Sequence, residues 1–244
     1  MDLSDLESAV ALPFAADSSF DTVALGVLAT LASFTTPLAG VLLAGYVARL
    51  VRAGGRDAPT LPAFDDVLGM AVEGTRLSVV LVALQLPAFA VAGAVLGSSS
   101  PPFTVFATVA DPRTLQYLGL SAFDVVGLVA AGLATLAGTY VGAAATVALA
   151  HEQSIVAAVP VTRALVGDSA FVSVVSASAL VVFGGRLLGF LVGTFPLAGV
   201  VLTAGVSFVT LVAAATLLGR GTNVASKRAS RPPRESQRDA VGSA

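Results

Sequence analysis

A chain of 244 residues that is 56% hydrophobic and only 11% charged has too few charges to clothe a water-facing surface, since soluble domains carry roughly 25%. An ordinary soluble domain is excluded, and the net charge of −2 conceals an uneven distribution. Zero cysteines exclude disulfides, thiolate metal sites and a cysteine nucleophile, and one histidine excludes a multi-histidine metal site within one chain.

Residues 1–21 form an acidic segment carrying Asp2, Asp5, Glu7, Asp17 and Asp21 and no base, so they do not read as a signal peptide. A hydrocarbon core of about 30 Å needs roughly 20 apolar residues in a helix. The first such run is 22–48, retained as a span, with a tilt or kink expected between Phe34 and Pro37. It is too short to cross twice. Residues 61–76 follow, with Asp65, Asp66, Gly69, Glu73 and Arg76 on one face and Phe64, Val67, Leu68, Ala71 and Val72 mostly on the other. This spacing predicts an amphipathic helix lying at the interface, with Pro62 in its first turn and the acidic pair near its positive end.

The second span is 77–96, interrupted by Pro87. The loop 97–120 has turn chemistry at Ser98–Pro102 and Asp111–Pro112. The third span is 125–150, closed by His151 and Glu152. Ser154 to Asp168 reads as a second interfacial segment, so a long span, an interfacial segment and a span occur twice, a weak echo of a repeat. The apolar stretch 170–218 is too long for one crossing and divides at Arg186, its flanking glycines and Pro196 into spans 170–188 and 195–218. The basic residues 219–244 are too polar to form a packed core and are expected to be a disordered tail. The fold class is therefore all-α: a polytopic membrane bundle of about five transmembrane helices with interfacial helices.

Lys and Arg set orientation, because they resist translocation. With five spans, eleven of the thirteen lie on one side, and only Arg113 and Arg186 on the other. The expected location is the cell membrane, with the N-terminus outside and the C-terminus cytoplasmic. An even number of crossings, which would put the acidic start and the basic tail together, is the less favoured arrangement.

Several strings form a family pattern. Gly45, Tyr46, Arg49 and Arg52 close the first span; Leu61, Pro62, Ala63, Phe64, Asp65 and Asp66 follow, then Glu73 and Gly74. Phe195, Pro196, Leu197, Ala198 and Gly199 open the last span, and Leu218, Gly219, Arg220 and Gly221 close it. Over roughly residues 9–222 the chain resembles the archaeal multi-pass membrane family called domain of unknown function 4013, common in haloarchaea. It departs from that pattern at Val67, where relatives usually carry an aromatic residue. The resemblance implies an integral membrane protein with no assigned activity and supplies no catalytic residues. One lysine against twelve arginines agrees with a haloarchaeal source.

Ionisable or polar groups at lipid depth are functional candidates by default. Asp124 at the outer end of the third span reads first as a helix cap. Arg186 near the outer end of the fourth reads as a snorkelling residue before an anion contact. His151 ends the third span and, being adjacent to Glu152, forms no dyad with it. Gln85 and Tyr140 lie within spans. Gln85, two positions before Pro87, suits a freed carbonyl or an interhelical bond. Ala134, Gly138, Gly142 and Thr146 form a small-residue face on which helices can approach closely, with Gly138 and Gly142 as its packing points. No catalytic set, cofactor or metal is expected. The partners expected are the lipid bilayer and either a second copy or other membrane proteins, with no nucleic acid. The favoured role is a non-enzymatic accessory or scaffold component. A small oligomeric transporter or channel for a small solute is the alternative. A lipid enzyme using His151, Glu152 and Arg163 ranks third.

Overall fold

The computed structural model describes residues 9, 11–14, 20–97, 122–152, 154–195 and 198–229. After a short 3-10 turn at Leu12–Phe14 come seven α-helices among the described residues: α1 (Phe20–Ser33), α2 (Pro37–Gly55), α3 (Val67–Gly97), α4 (Ala122–His151), α5 (Ile155–Val166), α6 (Ser169–Val192) and α7 (Ala198–Ala229). Five of them, α2, α3, α4, α6 and α7, are long and apolar enough to cross a membrane. The chain is an all-helical, multi-pass membrane bundle. It divides into two compact units, residues 78–143 and the remainder.

The first expected span is not one helix. Thr36 is extended, at φ −130° and ψ 123°, and Pro37 is at the start of α2. A residue before proline is driven out of the helical region, and proline offers no N–H, so the chain breaks here instead of bending. The carbonyls at the end of α1 are satisfied locally. The hydroxyls of Thr35 and Thr36 donate to Ala32 O at 3.0 and 3.1 Å, and Ser33 donates to Thr30 O at 2.6 Å. Such local bonds are what an irregular segment needs if it is to survive at membrane depth.

The break reverses the chain. Gly26 of α1 lies against the ring of Phe208, and the Tyr46 ring of α2 is 6.1 Å from that same ring. In a continuous helix Gly26 and Tyr46 would be about 30 Å apart. The helices α1 and α2 thus form a hairpin, and the start of α1 lies beside the end of α2 rather than across the bilayer from it. At 14 residues, α1 is about 21 Å long, short of a full crossing.

The core of the larger unit forms around α7. Gly54 packs on Thr216 and Gly219 on Val51, with Tyr46 beside Phe208, so α2 and α7 run parallel. The pair α6 and α7 is antiparallel: Gly185 meets Thr210, Ser178 donates to Ala214 O at 3.4 Å, and Thr203 donates to Gly189 O at 3.1 Å. Tyr46, Leu50, Met70, Phe171, Phe208 and Leu217 are fully buried. The helix α7 does not end near Leu218. It continues to Ala229, so the expected disordered tail begins as helix, while 230–244 lie outside the described residues.

The amphipathic segment 61–76 also differs from expectation. Residues 61–66 are not helical. The Asp66 carboxylate accepts from Gly69 N at 2.9 Å and caps α3, which then runs unbroken through Pro87. The polar stripe of Gly69, Glu73 and Arg76 therefore forms the first turns of α3, continuous with the apolar run rather than a separate helix. Ser154 to Asp168 does fold as a short helix: Ser154 caps α5 through Ala157 N at 3.2 Å, and Asp168 caps α6 through Ala170 N at 2.8 Å. With Val156 and Val159 exposed and about 18 Å of length, α5 suits the interface rather than a crossing.

In the unit 78–143, α3 and α4 pair antiparallel. Val95 faces Gly127, Leu84 faces Gly138, and Leu81 faces Gly142. The expected small-residue face is used inside the chain: a Cβ on Gly138 would sit 2.8 Å from the Leu84 carbonyl oxygen. The loop 98–121 lies outside the described residues.

Candidate functional site

Tyr46, Arg49 and Arg52 stand at three-residue spacing on α2 and so share a face. The Tyr46 ring is buried and stacks on Phe64 with centroids 4.1 Å apart, and its hydroxyl donates to Pro62 O at 3.2 Å. One turn on, Arg49 grips the same returning segment. Its Nη1 donates to Asp65 Oδ1 at 3.1 Å and Ala63 O at 3.4 Å; its Nη2 donates to Asp66 Oδ2 at 2.9 Å and Asp66 O at 3.1 Å. A planar guanidinium fits this forked set of acceptors, which an ammonium does not. Asp66 is therefore engaged twice, by Arg49 and by the first turn of α3.

A further turn along α2, Arg52 forms an ion pair with Glu73 of α3. Glycines bring the two helices together there. A Cβ on Gly45 would overlap the Met70 carbonyl group, and one on Gly74 would overlap the Val41 carbonyl oxygen. Beyond the helix end, Asp57 takes a left-handed φ of 51°. Ala58 N donates to Ala53 O at 3.0 Å and Asp57 N to Gly54 O at 3.1 Å, closing α2 with a Schellman turn. Asp57 also faces Arg220 of α7, at 3.7 Å.

Next to the Arg52–Glu73 pair lies a cavity of about 180 Å³, whose lining includes Arg52, Glu73, Arg76, Leu149, His151 and Glu152. Arg52 Nε is buried without a hydrogen-bond partner. The His151 Nδ1–H donates to Val147 O at 3.0 Å, which leaves Nε2 as the ring's outward atom, near Gly55. A second cavity of about 430 Å³, bounded by Leu68, Gly69 and Val72, shares Glu73 and Arg76 with the first. Among the described residues, no group of three or more His, Asp or Glu is placed to hold a metal.

Of the sequence-derived candidates, His151 and Glu152 line this cavity. Gln85 donates to Thr139 Oγ1 at 3.2 Å, and Thr139 donates to Thr135 O at 2.8 Å, so the amide makes the interhelical bond. Tyr140 is half-buried in the same unit, and Arg186 is exposed on α6. Asp124 is in the first turn of α4, and its side chain lies outside the described residues. Arg52, Glu73 and Arg76 read from the sequence as topology and interface residues. Their assembly rests on the 56–66 connection turning back onto α2. The three-residue spacing of Tyr46, Arg49 and Arg52, followed by an acidic pair, was the available signal.

Apart from Arg220, the residues of this network lie inside the region matched by a family model. No curated protein and no solved structure shows a significant match. The model described as Protein of unknown function (DUF4013) matches residues 28–195, well over half of the chain. That is narrower than the resemblance over 9–222, and it leaves Leu218 to Gly221 outside. The chain belongs to the DUF4013 family.

Proposed function

We propose that this chain is a non-enzymatic accessory or scaffold component of the cell membrane, with the Arg-rich helix ends facing the cytoplasm. The observation that carries this reading is how the charged residues of the 45–74 region are used. Arg49 engages Asp65 and Asp66, Arg52 engages Glu73, and Arg220 faces Asp57. These groups fasten helices and their connection to one another, which suits a rigid platform. Because α1 doubles back, we place its start on that same cytoplasmic side. This replaces the outside position that an odd number of crossings implies.

The transporter alternative draws on the interrupted first segment and on the cavity beside Arg52. Against it, the Gln85 amide is bonded to Thr139 rather than turned to a solute path. Crosslinking in native membranes tests the scaffold role: a reproducible partner, or a second copy, is expected, and loss of all crosslinks to protein would contradict it. The absence of native cysteine makes orientation simple to test. Single cysteines at Asp21 and Asp57 are expected to react with an impermeant thiol reagent from the same side of sealed vesicles. Labelling from opposite sides would refute the placement.

A further inference from the structure

We propose that the cavity between α2, α3 and the end of α4 binds a phosphate group, either a lipid headgroup or free phosphate. This goes beyond the scaffold reading and does not depend on it. Two guanidinium groups, of Arg52 and Arg76, and the imidazole of His151 line the cavity. Its carboxylates are not equivalent: Glu73 is held by Arg52, leaving Glu152 as the acidic group outside that pair. Arg52 Nε is buried with no hydrogen-bond partner, so this guanidinium keeps a donor that its pairing with Glu73 does not use. Arginine suits phosphate because its planar fork matches two oxygens at once.

Depth selects the ligand class. The 31 residues of α3 extend about 46 Å, against a hydrocarbon core of about 30 Å. Its first turns therefore project past the core, and Glu73 and Arg76 stand at headgroup level. Leu77, Leu149 and Ala150 supply an apolar wall on the same cavity, as a headgroup continuing into an acyl chain requires. Arg76 borders both cavities, so a phosphate beside it has room on either side.

The test uses the purified full-length chain in detergent, titrated with phosphatidylglycerol, with diacylglycerol of the same acyl chains, and with sodium phosphate, and read by native mass spectrometry. Phosphatidylglycerol is expected to bind and diacylglycerol not. Arg76→Gln should weaken binding about tenfold, the effect of losing one charge-assisted hydrogen bond. Glu152→Gln should strengthen it by removing a like charge. That opposite sign keeps the proposal testable if Arg76→Gln folds poorly. Displacement of bound phosphatidylglycerol by millimolar phosphate would assign the site to free phosphate, and resistance to displacement would assign it to the headgroup. Equal binding of diacylglycerol, or affinity unchanged in both variants, would overturn the proposal.

Discussion

The hairpin of residues 78–143 and the polar end of the larger unit join helices by different means. In the hairpin, α3 and α4 meet through Gly127, Gly138 and Gly142 and through one amide–hydroxyl bond, Gln85 to Thr139. At the polar end, α2 and α3 meet through Gly45 and Gly74, and charged pairs fasten the contact. Only 11% of the most apolar window of α3 and of α4 is buried, against 44% of α7. Within lipid there is no hydrophobic force between helices, so close backbone packing has to hold them. At the water edge, forked arginine bonds become affordable in solvation terms and add geometric specificity. The same helix α3 uses the first means along its middle and the second at its start.

The contrast can be broken most severely at a backbone contact. Gly74→Val places side-chain atoms where the Val41 carbonyl stands, at the α2–α3 crossing. Overpacking of a tight contact costs about 1–3 kcal/mol, and more where backbone must move. Gly74→Val should therefore abolish a monodisperse peak in size-exclusion chromatography or lower Tm more than any other change here. A fully stable variant would mean the helices are not in contact at Gly74.

The charged fastening comes next. Arg49→Ala removes bonds to Asp65, Asp66 and Ala63 O together, from a side chain only 14% exposed. Because both carboxylates face solvent, the loss should be about 1–2 kcal/mol rather than the penalty of a buried pair. Arg49→Lys should recover less than half of it, since an ammonium cannot fork. Asp66→Ala should cost more than Asp65→Ala, because Asp66 also caps α3. Equal effects in a thermal denaturation series would remove the cap from the account.

The smallest effect is expected in the lipid-facing hairpin. Gln85→Leu loses one interhelical bond, and such bonds average about 0.6 kcal/mol in membrane proteins. A loss above about 2 kcal/mol would show that the amide does more than join α3 to α4.

Much of the membrane fold was legible in the sequence because lipid imposes one strong rule, a run of about 20 apolar residues per crossing. Four of the apolar runs each fall on one long helix, although α3 begins earlier and α7 ends later than its run. The first does not, because Pro37 drives Thr36 out of the helical region and the Thr35 and Thr36 hydroxyls donate to the Ala32 carbonyl, none of which hydropathy registers. The helix expected over 61–76 had the right periodicity but the wrong start. Periodicity cannot distinguish a residue inside a first turn from one that caps it, and Asp66 is the cap. The polar cluster was the least legible part. Arg49 and Asp66 are far apart along the chain, and nothing in their spacing reveals that 56–66 folds back. The Gly138 and Gly142 face, legible as a small-residue stripe, lies against Leu84 and Leu81 of α3 in the same chain.

The central claim is that the charged residues of this region act on one another to hold α2 against α3. A charge-exchange cycle tests it most directly, comparing the stability in detergent of Arg52→Glu, Glu73→Arg and the double exchange. Each single reversal should destabilise the protein by setting like charges together. The double exchange should recover at least about 1 kcal/mol relative to the sum of the two, as for directly contacting residues. Strict additivity, with no recovery in the double exchange, would contradict the claim.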